Sequence, residues 1–109
     1  MSRDLCDHLE FMQYPIDDSV KALGRRWAGP VLMEILSGRD RFNTLLSSIR
    51  GINARTLAAR LREFERLGLV KRKKRAPTSE RAHYVLTEKG EAMSHLLRDI
   101  VSFSLKWHR

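Results

Sequence analysis

The chain of 109 residues has one cysteine, Cys6, and three prolines. A single thiol excludes an intrachain disulfide framework, and a reduced, cytoplasmic setting is the simplest expectation. Long apolar runs are missing as well. The longest stretch without Asp, Glu, Lys or Arg is Phe42 to Ile49, far short of the roughly 20 residues of a membrane span, so no membrane partner is expected. The first fifteen residues scatter Asp4, Asp7 and Glu10 among apolar positions, unlike the basic start and unbroken apolar stretch of a secretory signal. There is no nucleophile elbow, no phosphate loop and no marked pair of carboxylates, so catalysis is not expected. Cys6 and His8 with Asp4 or Asp7 match no zinc spacing, and His83, His95 and His108 are scattered. Neither a metal nor a cofactor is expected.

Acids are scarce where bases crowd. Lys and Arg outnumber Asp and Glu by 21 to 13, for a net charge of +8. Residues 1–18 hold Arg3 against five acids, net −4. Residues 50–75 hold ten bases against only Glu63 and Glu65, net +8, so about a quarter of the chain accounts for the whole surplus. Such a run is either a solvated face or a surface for phosphates. At 42% hydrophobic and 31% charged, the composition is that of a globular domain, and the length suits one small core.

Spacing supplies the elements. Leu5, Cys6, Leu9 and Met12 predict a short amphipathic helix in an N-terminal extension, residues 1–13, and Tyr14-Pro15 separates it from a domain over 14–109. Ile16, Val20 and Leu23 predict a second helix with Asp17 and Asp18 at its start and Gly24 as its stop. Trp27 opens a third helix, with Pro30 in the first turn and Val31, Leu32, Ile35 and Leu36 as its buried face. Asp40-Arg41-Phe42 reads as a stub of strand. Asn43 is the expected cap of a helix carrying Leu45, Leu46 and Ile49, and Arg50-Gly51-Ile52 is a turn. Asn53 caps a helix running to about Leu67, with Leu57, Leu61 and Phe64 inward and Gly68 as terminator. Leu69–Lys73 and His83–Leu86 predict a hairpin with a long basic tip. Thr87 caps a last helix with Glu88 and Glu91 in its first turn. Its apolar positions, Met93, Leu96, Leu97, Ile100, Val101, Phe103, Leu105 and Trp107, cover more than one narrow stripe, so it either closes its own domain or meets a second subunit.

This order gives the expected fold class: mainly α with a small β-hairpin, a winged helix-turn-helix. In such an arrangement the second helix of the motif enters the major groove with its amino end nearest the bases. At about 100° per residue, Arg55, Thr56, Ala59, Arg62 and Arg66 fall outward or on the flank. Asn53, Arg55, Thr56 and Ala59 are therefore the candidate base contacts. Arg55 leads them because a guanidinium can bond both acceptors of guanine. Asn43, Arg60, Arg62, Lys73, Lys74, Arg75 and Arg81 are the candidate backbone contacts, with Arg60 close enough to the core stripe that bracing the fold is its other role. The outward face has no aromatic stacking row, which disfavours single-stranded RNA.

These residues resemble a known family. Leu23-Gly24-Arg25-Arg26-Trp27, Arg41-Phe42-Asn43, Gly51-Ile52-Asn53, Leu57 with Arg60-Leu61-Arg62-Glu63, Leu67-Gly68-Leu69-Val70 and Tyr84-Val85-Leu86-Thr87-Glu88-Lys89-Gly90 are similar to the HxlR-type transcriptional regulators, in order and spacing, over about residues 14–107. The resemblance implies a winged helix-turn-helix homodimer related to the MarR group that binds roughly palindromic double-stranded DNA. It also implies dimer contacts through the first and last helices, here Leu5, Leu9, Met12, Leu97, Ile100, Val101, Ser104 and Trp107. Three positions depart from the family. Tyr14 stands where members often have a cysteine before the proline, Arg25 replaces the second glycine, and Ala59 stands where a glutamine is common. Cys6, eight residues before Tyr14, is either a small core residue or a redox sensor. Trp27 and Trp107 either pack the core or line a pocket. An unidentified small-molecule effector is a further candidate partner. By analogy it would sit between the terminal helices and the helix-turn-helix. The competing reading is a winged-helix protein-interaction module, without operator specificity, whose basic face meets an acidic partner.

Overall fold

The computed structural model describes residues 17–74 and 82–108. The expected extension with Leu5, Cys6, Leu9 and Met12, and Arg75 and Arg81 of the hairpin tip, lie outside them. The described elements are α1 (Asp18–Ala22), α2 (Ala28–Leu36), α3 (Phe42–Ser48), α4 (Ala54–Arg66), β1 (Val70–Lys74), β2 (Ala82–Leu86) and α5 (Glu88–Trp107). The fold is mainly helical with one hairpin, as expected. Among the described residues no helix is long and apolar enough to cross a membrane.

Local chemistry places most helix ends. Asp17 caps α1, its carboxylate accepting the Ser19 N–H at 2.7 Å. That bond holds the Asp17 carboxyl below the ordinary aspartate value. Because the shift is downward, the cap is in place at neutral pH and is lost as pH falls through the lowered value. Asn53 caps α4, accepting the Thr56 N–H at 2.8 Å. Leu57, Leu61 and Phe64 of α4 are buried and join Val31 and Leu32 of α2, Leu45 of α3 and Leu69 in one core. Each such side chain contributes roughly 1.5–3 kcal/mol by leaving water. The strands pair antiparallel, Val70 opposite Leu86 through Lys74 opposite Ala82.

Three expectations are corrected. In α1 the buried positions are Ser19 and Ala22, while Val20 is exposed. Two small residues three apart let this short helix sit close to the domain and turn Val20 outward. Asn43 is not the cap of α3. The helix starts at Phe42, which packs against the core, and Arg41 precedes it in extended conformation without a side-chain cap. Residues 40–42 form no strand. A single rung remains, the Tyr84 N–H donating to the Asp40 carbonyl at 2.7 Å.

The junction between α4 and α5 is fastened by several bonds. The Thr87 hydroxyl donates to the Gly68 carbonyl, with the Leu69 carbonyl 3.2 Å away, and accepts the Gly90 N–H at 3.0 Å. The Thr87 N–H donates to the Leu69 carbonyl at 3.0 Å. The Lys89 ammonium donates to the Leu67 carbonyl at 3.0 Å and lies 3.4 Å from the Asp17 carboxylate. A Cβ on Gly90 would run into the Leu69 carbonyl oxygen. Helix propensity favours alanine over glycine by about 0.5–1 kcal/mol, but overpacking against backbone costs about 1–3 kcal/mol. Gly90→Ala is therefore expected to lower stability in urea unfolding, and a more stable variant would show that this approach is looser than described.

Candidate nucleic-acid interface

The turn between α3 and α4 is held from outside the motif. Gly51 has φ +90°, and a Cβ there would lie 3.2 Å from the Trp27 ring. Trp27 itself sits at φ 74°, a left-handed conformation rare for a bulky side chain, directly before α2. Its carbonyl accepts the Val31 N–H at 3.0 Å, and the Arg26 guanidinium lies 5.2 Å from its ring centroid. Ile52 is buried beside the turn. The amino end of α4 is thereby set against the body of the domain rather than left to a free loop.

With Leu57, Leu61 and Phe64 inward, α4 presents Arg55, Arg62 and Arg66 exposed, with Ala59 half-buried among them. Asn53 is exposed but its side-chain oxygen is engaged as the cap, and Thr56 is half-buried. Arg60 is different. Its side chain is only 18% exposed and pairs with Glu63 at 3.5 Å, which favours the bracing role. Glu63 also receives the Arg25 Nε at 2.9 Å and lies 3.6 Å from Arg66. One carboxylate, 13% exposed, thus ties the loop before α2 to two turns of α4.

The hairpin adds cations beside this helix. Val70 of β1 is buried and the four residues after it, Lys71 to Lys74, are exposed. Side chains alternate across a strand, so Arg72 and Lys74 share the face of Val70 while Lys71 and Lys73 take the other. Arg72 lines a cavity of about 290 Å³ with Phe42, Ala58, Arg62, Glu65 and Tyr84, which brings the hairpin and α4 together. Asn43 is exposed in the first turn of α3. Arg72 was expected on the hairpin with Lys73 and Lys74; Lys71 was not among the expected contacts, although the run of four bases in β1 signals it. Arg25 was noted only as a departure from a family glycine, and nothing local to it points to Glu63.

The last helix divides. Leu97 is buried and would touch a side chain added at Gly29, so it serves its own domain's core rather than an outer face. Ser104 and the large residues Leu96, Ile100, Val101, Phe103, Leu105 and Trp107 are exposed.

Known proteins share this fold over most of the chain. The family model described as HxlR-like helix-turn-helix matches residues 22–109. The uncharacterized HTH-type transcriptional regulator YvaP of Bacillus subtilis (strain 168) is 32% identical over 91 residues, covering 84% of each chain. The HTH-type transcriptional regulator YodB of the same organism is 29% identical over 89 residues, 82% of this chain and 80% of that one. The solved reduced form of YodB from B. subtilis superposes with TM-score 0.73 at 28% identity, over 84% of this chain and 90% of that chain. The reduced form of the redox regulator HypR gives TM-score 0.74 at 25% identity, over 84% and 91%.

The Glu63 cluster yields a measurable asymmetry. Glu63→Ala leaves the largely buried Arg60 without its carboxylate and is expected to cost about 1–3 kcal/mol. Arg25→Ala removes a side chain that is 60% exposed and is expected to cost about 0.2–1 kcal/mol. Equal losses in chemical denaturation would contradict this hierarchy.

Proposed function

The chain belongs to the HxlR-like helix-turn-helix family of transcriptional regulators, and we propose that it acts as a homodimer that binds a roughly palindromic operator in double-stranded DNA. The observation that carries the proposal is the exposed arginine side of α4 beside four exposed cations of β1. Arg55, with Asn53, Thr56 and Ala59, addresses base edges in the major groove. Arg62, Lys73 and Lys74, with Arg75 and Arg81, neutralise phosphates, Asn43 hydrogen-bonds to one, and Arg60 holds the helix in place through Glu63. The relatives are named as transcriptional regulators, and the domain proper is residues 14–109.

The dimer assignment is supported by the far half of α5. Ile100, Val101, Phe103, Leu105 and Trp107 are between 44% and 75% exposed on one helix, and an apolar patch of that kind marks an interface. Ser104 lies among them, and Leu5, Leu9 and Met12 of the extension complete the proposed contact. Pairing by a two-fold axis would set the two α4 helices about 34–36 Å apart, one turn of DNA. YodB has been solved in reduced, diamide-treated and quinone-bound forms. In this chain Cys6 is the only thiol. Any thiol response therefore passes through an adduct or an intermolecular bond, not an intrachain disulfide.

Selection from random duplexes followed by gel shift tests the reading. Saturable binding about 10³-fold or more tighter to the selected site than to a scrambled one is expected, and equal affinity rejects operator recognition. Arg55→Ala should cost about 1–3 kcal/mol and relax preference at one base position. Lys74→Ala should weaken all sequences alike and flatten the salt slope by about 0.9 per contact. For the dimer, Ile100→Glu should halve the mass measured by light scattering. An unchanged mass for that variant, or a monomeric parent protein, places the interface elsewhere.

A further inference from the structure

Beside the amino end of α4 lies a cavity of about 470 Å³ lined by Arg25, Arg26, Trp27, Asn53, Thr56 and Arg60. Three guanidinium groups border it and no carboxylate does. Glu63 holds Arg25 and Arg60 from outside the cavity. Arg26 is exposed and, among the described residues, makes no ion pair. Its guanidinium rests over the Trp27 ring, and Trp27 is set against Gly51. The Arg60 Nε is buried without a hydrogen-bond partner. Glu63 offsets Arg25 and Arg60, so Arg26, placed by a backbone that includes one left-handed tryptophan, is the cation here without a counter-charge among the described residues.

The position matters as much as the charge. At about 100° per residue, Thr56 and Arg60 lie on one flank of α4, while Ala58, Arg62 and Glu65 lie on the other, facing the hairpin. The outward arginines lie between. A duplex met by that outward side would pass one phosphate rail along each flank. The hairpin supplies the cations on one side, and Arg25, Arg26 and Arg60 are the cations on the other.

We propose that this cradle binds a backbone phosphate of the DNA, with Arg26 as its principal donor. The proposal rests on the reading of the chain as a duplex-binding protein and adds residues to it. A phosphodiester offers two non-bridging oxygens that share one negative charge, which match the fork of a guanidinium. Stacking on Trp27 pre-orders the Arg26 fork and lowers the entropy lost on binding. Arg25 keeps its terminal nitrogens for the same anion while its Nε stays with Glu63. A contact of this type sets register and affinity and carries no sequence information.

Fluorescence anisotropy with a duplex of mixed sequence, titrated across a range of KCl, tests this. The slope of log Kobs against log salt should become shallower by about 0.9 per bound protomer in Arg26→Ala. The ratio of selected to scrambled affinity should stay at the parent value, and Arg26→Lys should recover most of the slope. Thermal unfolding of Arg26→Ala should match the parent protein, which separates lost contact from lost fold. A parent-like slope in Arg26→Ala overturns the cradle while leaving duplex binding intact, as would be found if the cavity served a free small anion. A parent protein that binds no duplex at any salt concentration overturns the functional reading and the cradle together.

Discussion

One hydroxyl and one absent side chain hold the arrangement together. Three carbonyls in succession, from Leu67, Gly68 and Leu69, emerge where α4 ends, and they would be unsatisfied if the chain simply turned away. The first turn of α5 satisfies them through the Thr87 hydroxyl and N–H and the Lys89 ammonium. Gly90 allows the approach, because any side chain there meets the Leu69 carbonyl. The same threonine caps α5. The end of α4, the first residue of β1 and the start of α5 are therefore one rigid corner.

Helix α4 is shared between two demands that would conflict on a less regular element. Its inward side contributes Leu57, Leu61 and Phe64 to the core, and its outward side keeps arginines in water. The boundary between them is where charge is managed most closely. Glu63, nearly buried, gathers Arg25, Arg60 and Arg66, so cations that would otherwise repel along the flank are locked by one carboxylate. Arg25 draws the loop before α2 into this arrangement.

Much of this was legible from short-range chemistry. Asn53 and Thr87 were readable as caps because their bonds span three residues and need nothing from the rest of the fold. The inward triad of α4 was readable because a helical period and three large apolar side chains leave one solution. Val20, Asn43 and Leu97 were misread for a common reason. Each sits in an element whose side chains leave more than one acceptable rotation or starting point, and packing decided among them. Small Ser19 and Ala22 turned Val20 outward, Phe42 pulled the start of α3 forward, and the space beside Gly29 received Leu97. The cradle at Arg26 was not legible, since Trp27 and Gly51 meet only after α2 and α3 have packed.

The linear order of residues determined the elements, their caps and the concentration of positive charge in residues 50–75. Those properties arise from contacts within a few positions and from composition. Tertiary structure alone decided that Glu63 would face Arg25, that Gly90 would lie against Leu69, and that basic residues from the loop before α2 and from β1 would flank one helix on opposite sides. These depend on how helices rotate and approach as the core closes, and side-chain volume and backbone hydrogen bonds settle that only when every element is in place.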